Sequence, residues 1–223
     1  MDSRIILPLD HFQWTQAREI MRRTEGLVWG YKIRRSVLDR GLGILADIKC
    51  YGRVMLDFKL YDIPSAMTES LKLHMAAGAD ITTVHCTSGY DPLAHGLPKD
   101  RIAGVTILTS MGQEDFRRYY RGASLQQMVA QMAAEAVSRY DYLVCSAMDL
   151  ESIRTLDIKK ICPGIRPSWY RQGDDQTRTA TPAVAIGQGA DLLVIGRPLL
   201  GADDIAVAVA RTNAEIQRAL PTG

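Results

Sequence analysis

Val54-Met55-Leu56-Asp57-Phe58-Lys59-Leu60-Tyr61-Asp62-Ile63-Pro64 opens as an apolar strand and ends in charged residues spaced two and three apart. Side chains two apart on an extended strand point the same way, so Asp57 and Lys59 are expected to face one side together at the strand's end. Asp62 follows once the chain has turned, and Pro64 suits the first turn of a helix. Carboxylate, ammonium and carboxylate packed this closely are costly inside a protein unless they neutralise one another. A strand that delivers charges at its end, followed by a helix, is one βα unit of an α/β fold.

The same unit recurs along the chain. Apolar strand-like runs are Ile5–Asp10, Leu27–Ile33, Val54–Lys59, Ile81–Cys86, Ile102–Thr109, Tyr142–Ser146, Lys160–Ile165 and Leu192–Arg197. Helical periodicity lies between them. Leu125, Met128, Val129, Met132, Ala133, Ala136 and Val137 mark one face behind a Ser124 cap, and Met67, Leu71 and Met75 mark another, ended by Ala77-Gly78. Gly78-Ala79-Asp80 and Gly189-Ala190-Asp191 each stand just before a strand as helix stops, and Asp203–Leu220 reads as a closing helix. Eight alternating units predict a single-domain (β/α)8 TIM barrel over residues 1–223 rather than an open doubly wound sheet.

Composition narrows the function classes. The 223 residues carry a formal net charge of +2, which argues against nucleic-acid binding by bulk electrostatics. No apolar run is long enough to span a membrane, and Ile5-Ile6-Leu7 is too short for a signal peptide, so a cytoplasmic location is expected. Cys50, Cys86, Cys145 and Cys162 are widely separated and read as reduced thiols. No His, Cys or carboxylate spacing suggests a metal, so no metal is expected.

Barrel enzymes hold their chemistry at the C-terminal ends of the strands. Those ends carry Asp10, Lys32, Asp57 with Lys59, His85, Thr109 with Ser110, Ser146, Arg166 and Arg197. Lys32, from the neighbouring strand, can complete an alternating Lys32-Asp57-Lys59-Asp62 chain in which each ammonium lies between carboxylates. A structural ion-pair network at the barrel mouth is the alternative. After the last strand, Gly196-Arg197-Pro198 can cradle a phosphate with backbone N–H groups and a guanidinium. It also suits a plain surface turn. The polar segment 166–178, with Arg166 and Gln176, is either a lid over that phosphate or an ordinary surface loop.

Taken together, these residues resemble the orotidine 5′-phosphate decarboxylases. The resemblance runs through Leu9-Asp10, the Lys32 strand, Asp57-x-Lys59-x-x-Asp62-Ile63-Pro64, Leu108-Thr109-Ser110, Pro163-Gly164-Ile165-Arg166-Pro167, Gln176, Thr181-Pro182 and Ile195-Gly196-Arg197-Pro198. It implies a homodimeric barrel without cofactor that converts orotidine 5′-phosphate to uridine 5′-phosphate and carbon dioxide in pyrimidine nucleotide synthesis. It gives Lys59 the protonation of C6 and places Asp57 beside the substrate carboxylate. Lys32 and Asp10 meet the ribose, while Asp62, with Ile63 at the start of the next helix, enters the neighbouring subunit's site. Thr109 and Ser110 meet the pyrimidine, and Arg166, Gln176, Gly196 and Arg197 grip the phosphate. Sugar-phosphate decarboxylases and hexulose-phosphate aldolases share Asp-x-Lys-x-x-Asp and are expected to need magnesium. A non-catalytic phosphate-binding barrel is the rival from outside enzymology.

Overall fold

The computed structural model describes residues 3–171 and 179–220. Eight parallel strands close into a barrel in chain order: β1 (Ile5–Pro8), β2 (Gly30–Ile33), β3 (Arg53–Leu60), β4 (Ile81–His85), β5 (Ile102–Val105), β6 (Tyr142–Val144), β7 (Lys159–Cys162) and β8 (Leu192–Val194). The first strand pairs with the last through Ile5–Leu193 and Ile6–Val194. The helices are α1 (Trp14–Thr24), α2 (Arg35–Arg40), α3 (Ile44–Lys49), α4 (Pro64–Ala76), α5 (Gln113–Tyr119), α6 (Leu125–Arg139), α7 (Pro182–Gly187), α8 (Arg197–Leu200) and α9 (Ile205–Ala219).

Two departures from the expected alternation have local causes. Between β4 and β5 the chain makes only short 3-10 turns at Cys86–Ser88 and Leu93–His95. Gly89, Pro92, Gly96 and Pro98 break any longer helix there. Between β6 and β7 the crossover is a 3-10 segment, Ala147–Ile153, started by Ser146, whose hydroxyl accepts the N–H of Met148. Most strands also stop short of the expected ends: β1 at Pro8 rather than Asp10, β5 at Val105 rather than Thr109, β8 at Val194 rather than Arg197. The polar residues beyond these ends have left the ladder and form the rim.

Alternation along the strands builds two apolar shells. Ile6, Met55, Ile81, Ala103 and Ile161 pack inside the barrel. Leu7, Val54, Leu56, Val84 and Leu193 face outward and are covered by residues such as Met21, Met67, Leu71 and Val209 from the helices. Burying each such side chain contributes about 1.5–3 kcal/mol. Helix α6 starts in a capping box: Gln127 N–H donates to Ser124 Oγ, and Ser124 N–H donates to Gln127 Oε1.

The two Gly-Ala-Asp stops make equivalent clamps on opposite sides of the barrel. Gly78 and Gly189 take positive φ, 98° and 100°, a region glycine enters without steric cost. The chain then turns, and Asp80 and Asp191 each grip the start of the preceding strand. Asp80 donates its N–H to Val54 O and accepts Val54 N–H on its carboxylate; Asp191 does the same with Lys160.

Candidate active site

The chemistry-bearing end of β3 is not a regular strand. Its ladder with β4 pairs Leu56 with Thr82 and then Leu60 with Val84, so Asp57, Phe58 and Lys59 stand opposite Thr83 alone. Such a bulge re-aims side chains next to active sites. Lys59 takes φ 52°, the positive-φ non-glycine of the described residues. Holding an L-residue there costs about 1–3 kcal/mol unless surrounding contacts impose it. Thr83, fully buried, supplies them. Its hydroxyl accepts the Lys59 N–H at 2.8 Å and donates to Asp57 Oδ1 at 3.1 Å. Asp57 and Lys59 therefore meet as expected, but through a bulge rather than simple two-residue alternation.

The charges form an alternating line across three strand ends. Lys59 Nζ lies 2.8 Å from Asp57 Oδ2, the same oxygen lies 3.1 Å from Lys32 Nζ, and Lys32 Nζ lies 2.5 Å from Asp10 Oδ2. The line thus begins at Asp10 and ends at Lys59. Asp62 is not part of it within this chain. It is exposed at the start of α4, where its carboxylate accepts the N–H of Ile63 at 2.7 Å. Burial is the largest single influence on Asp57 and pushes its carboxyl upward. Lys32 and Lys59 together outweigh it and hold the group below the ordinary carboxylate range. For Lys32, burial likewise pulls downward first, and Asp57 with Asp10 raise it above the ordinary lysine value. The inner groups thus keep their charges because each is flanked by opposite ones. His85, half-buried beside Tyr61, is held below the usual imidazole range by burial and by the Lys59 charge. It lines neither cavity of the site.

Two joined cavities open on this line. The smaller, about 220 Å³, is lined by Lys32, Asp57, Lys59 and Thr109, with apolar walls from Met55, Val105 and Ile107. The larger, about 510 Å³, is lined by Asp10, Lys32, Arg166, Gly196 and Arg197, with His11, Phe12 and Tyr170. Lys32, Pro163 and Val194 border both. Asp10 Oδ1 is buried without a hydrogen-bond partner, an acceptor left open beside the larger space. Arg197 begins α8 directly after Gly196, with Pro198 in the first turn, so a short helix follows the last strand as expected.

The expected residues do not all converge. Asp10, Lys32, Asp57, Lys59, Thr109, Arg166, Gly196 and Arg197 do. Ser110 is exposed and lies outside both linings, Ser146 is buried as a cap, and Ile63 is exposed beside Asp62. Gln176 lies outside the described residues, as does most of the expected lid. The described start of that lid is anchored: Glu215 Oε2 on α9 accepts Ser168 N–H and Ser168 Oγ–H, both at 3.1 Å. Trp169 turns to the core under the Arg211 guanidinium, while Tyr170 faces the cavity. Thr83 went unread in the sequence because a threonine inside a strand carries no local mark of a bulge on its neighbour. His11, Phe12 and Tyr170 carried no spacing signal either.

Among the described residues no group of three or more His, Cys, Asp or Glu is placed to hold a metal ion, and no helix is long and apolar enough to cross a membrane. Residues 3–212 match the model of the orotidine 5′-phosphate decarboxylase / HUMPS family. The chain is 32% identical over 233 residues to the orotidine 5′-phosphate decarboxylase of Desulfosudis oleivorans, covering 97% of this chain and 94% of that one. It is 38% identical over 167 residues to the enzyme of that name from Wolbachia pipientis, covering 70% and 73%. The crystal structure of orotidine 5′-phosphate decarboxylase from Lactobacillus acidophilus superimposes with a TM-score of 0.78 at 25% identity, covering 96% of this chain and 99% of that one.

Proposed function

Since the chain belongs to the orotidine 5′-phosphate decarboxylase / HUMPS family, we propose that it decarboxylates orotidine 5′-phosphate to uridine 5′-phosphate in pyrimidine nucleotide synthesis. The observation that carries this reading is the Asp10-Lys32-Asp57-Lys59 line opening onto two joined cavities, one walled by apolar residues and one by arginines.

The substrate's phosphate lies in the larger cavity against Arg197, Arg166 and the Gly196 backbone, with Gln176 as a further contact. A guanidinium offers paired N–H donors that match phosphate oxygens. The ribose lies beside Asp10 and Lys32, where the open Asp10 Oδ1 accepts a sugar hydroxyl. The pyrimidine fills the smaller cavity, with Thr109 toward its polar edge; Ser110, exposed outside that lining, reaches it only if the rim rearranges around the substrate.

When the bond from C6 to the carboxylate breaks, its electron pair stays on C6 and carbon dioxide leaves. No neighbouring carbonyl delocalises that charge, so a fixed ammonium beside the carbon is the stabilising device available. Lys59 fills that place and gives C6 its proton. Charges already oriented in a site sheltered from water act without reorganising as the reaction proceeds. Asp57 holds Lys59 and faces the substrate carboxylate, a repulsion relieved as carbon dioxide departs. The phosphate, remote from the breaking bond, supplies binding energy that holds the ring against this charged wall.

A homodimer completes the site in this reading. Tyr61 and Ile63, at 64% and 65% exposure, flank Asp62 at the barrel mouth. A second copy covers them and receives Asp62 beside its own Lys59. A cytoplasmic location accompanies the reading.

The test is loss of orotidine 5′-phosphate absorbance with purified protein in EDTA. Conversion to uridine 5′-phosphate without metal is expected. Turnover of a sugar phosphate only after magnesium is restored would move the chain to the other branch of the family. Absence of both activities would leave a phosphate-binding barrel.

A further inference from the structure

A second open cavity lies at the opposite end of the barrel. It measures about 630 Å³, within the range of small-molecule sites, and opens where the strands begin. Arg4, Arg53 and Arg101 line it, together with Trp29, Tyr142 and Asp100. None of the three guanidiniums makes an ion pair with a carboxylate among the described residues.

Two of them are nevertheless held in place. Arg53 has its guanidinium carbon 5.6 Å from the centre of the Trp29 ring, a cation–π contact that holds the group without using its N–H donors. Arg4 donates weakly to the carbonyls of Ala190 and Asp191, at 3.4 and 3.5 Å. Charge bookkeeping favours an anion. Asp80, also in the wall, is taken up by Lys49 at 2.7 Å and by the Val54 N–H. Asp100 is the carboxylate left in the lining, against three arginines and the Lys159 ammonium over Tyr142. Cations that outnumber the carboxylates on a concave surface repel one another, and an anion bridging them relieves that repulsion. Three guanidiniums spread around a space this wide fit a ligand with more than one anionic group better than a single small ion. Phosphate oxygens match their paired donors.

We propose that the N-terminal mouth of the barrel binds a small phosphorylated molecule carrying two or more phosphate groups, held by Arg4, Arg53 and Arg101. The site is separate from the catalytic mouth and does not depend on the decarboxylase reading.

Pyrophosphate is the probe, titrated calorimetrically into the full chain at low salt. The background is Arg197→Ala, which weakens anion binding at the other mouth. Binding is expected to persist in that background, to exceed that of orthophosphate, and to weaken as salt is raised. Adding Arg53→Ala and Arg101→Ala is expected to weaken it by about tenfold or more, since charged hydrogen bonds are lost. An unchanged melting midpoint shows that the variant remains folded. If it does not, Arg53→Gln with Arg101→Gln repeats the test with less lost packing. No pyrophosphate binding in the Arg197→Ala background, or binding that the added changes leave intact, overturns the proposal.

Discussion

Thr83 and Lys59 are joined backbone to side chain: the Lys59 N–H donates to the Thr83 hydroxyl at 2.8 Å, and that hydroxyl donates onward to Asp57. A neutral residue on β4 thus fixes both charged residues of β3. Thr83→Val keeps the shape and removes both bonds. It is expected to cost about 1–3 kcal/mol of stability, because a buried N–H and a carboxylate oxygen lose their partner. Turnover should fall while Thr83→Ser restores most of it. Chemical denaturation and kcat measured on the three proteins decide the matter, and a Val variant as active as the native chain would remove Thr83 from the positioning role.

Lys59→Ala is expected to lower turnover by ~10²-fold or more, the usual cost of losing a principal charge-stabilising group. Asp57 retains Lys32 as a partner, so the fold survives. Steady-state rates with a circular dichroism spectrum make the check. A variant keeping more than about a tenth of the native rate is incompatible with Lys59 as the proton donor.

Arg197→Ala should act through the phosphate. With orotidine 5′-phosphate, kcat/KM is expected to drop by about tenfold or more, as charge-assisted hydrogen bonds are lost. With orotidine, which has no phosphate, the same change should have little effect. Equal losses on the two substrates would mean that Arg197 supports the barrel rather than the ligand.

Acid stability should report on Asp57. Its folded carboxyl is held below the ordinary value of about 3.9 by the two lysines. The stability it contributes is therefore complete above about pH 4 and drains as pH falls through the folded value. Asp57→Asn removes this titration, so its stability should fall less steeply below about pH 4. Urea midpoints of both proteins between pH 2 and 7 test this, and parallel curves would mean that the ion-pair line adds nothing to folding.

The barrel was legible because its strands are apolar runs with polar ends, and the helix stops before β4 and β8 sit where Gly-Ala-Asp places them. Asp57, Lys59, Lys32 and Arg197 were legible because they occupy those ends. The manner of their meeting was not. Alternation predicts a straight strand, whereas Lys59 reaches Asp57 from a left-handed backbone pinned by a residue 24 positions further on. Within one chain the charged line differs from the alternating Lys32-Asp57-Lys59-Asp62 reading at both ends: Asp10 joins it through Lys32, while Asp62 turns outward and accepts its neighbour's N–H. Nearness in sequence put Asp62 in that chain, whereas the contact between Asp10 and Lys32 spans 22 positions. The aromatic wall of the larger cavity was hidden for the same reason, since His11, Phe12 and Tyr170 meet only when β1 and β7 approach the same mouth.

The chain beyond β7 is fastened at its neck. Arg166 donates its N–H to Ala180 O at 2.9 Å, Ile165 and Ala180 pair as an isolated bridge, and Ser168 is tied to Glu215. Both ends of that stretch are thus tied to the barrel itself. Tying the ends of a longer connection is cheap, because the entropic cost grows only as the logarithm of its length. Changes in the number of residues between the ties should therefore leave the scaffold's melting behaviour nearly constant. Cutting the ties, by contrast, would loosen Arg166 and Tyr170, in the wall of the larger cavity, from α9, which does not line it.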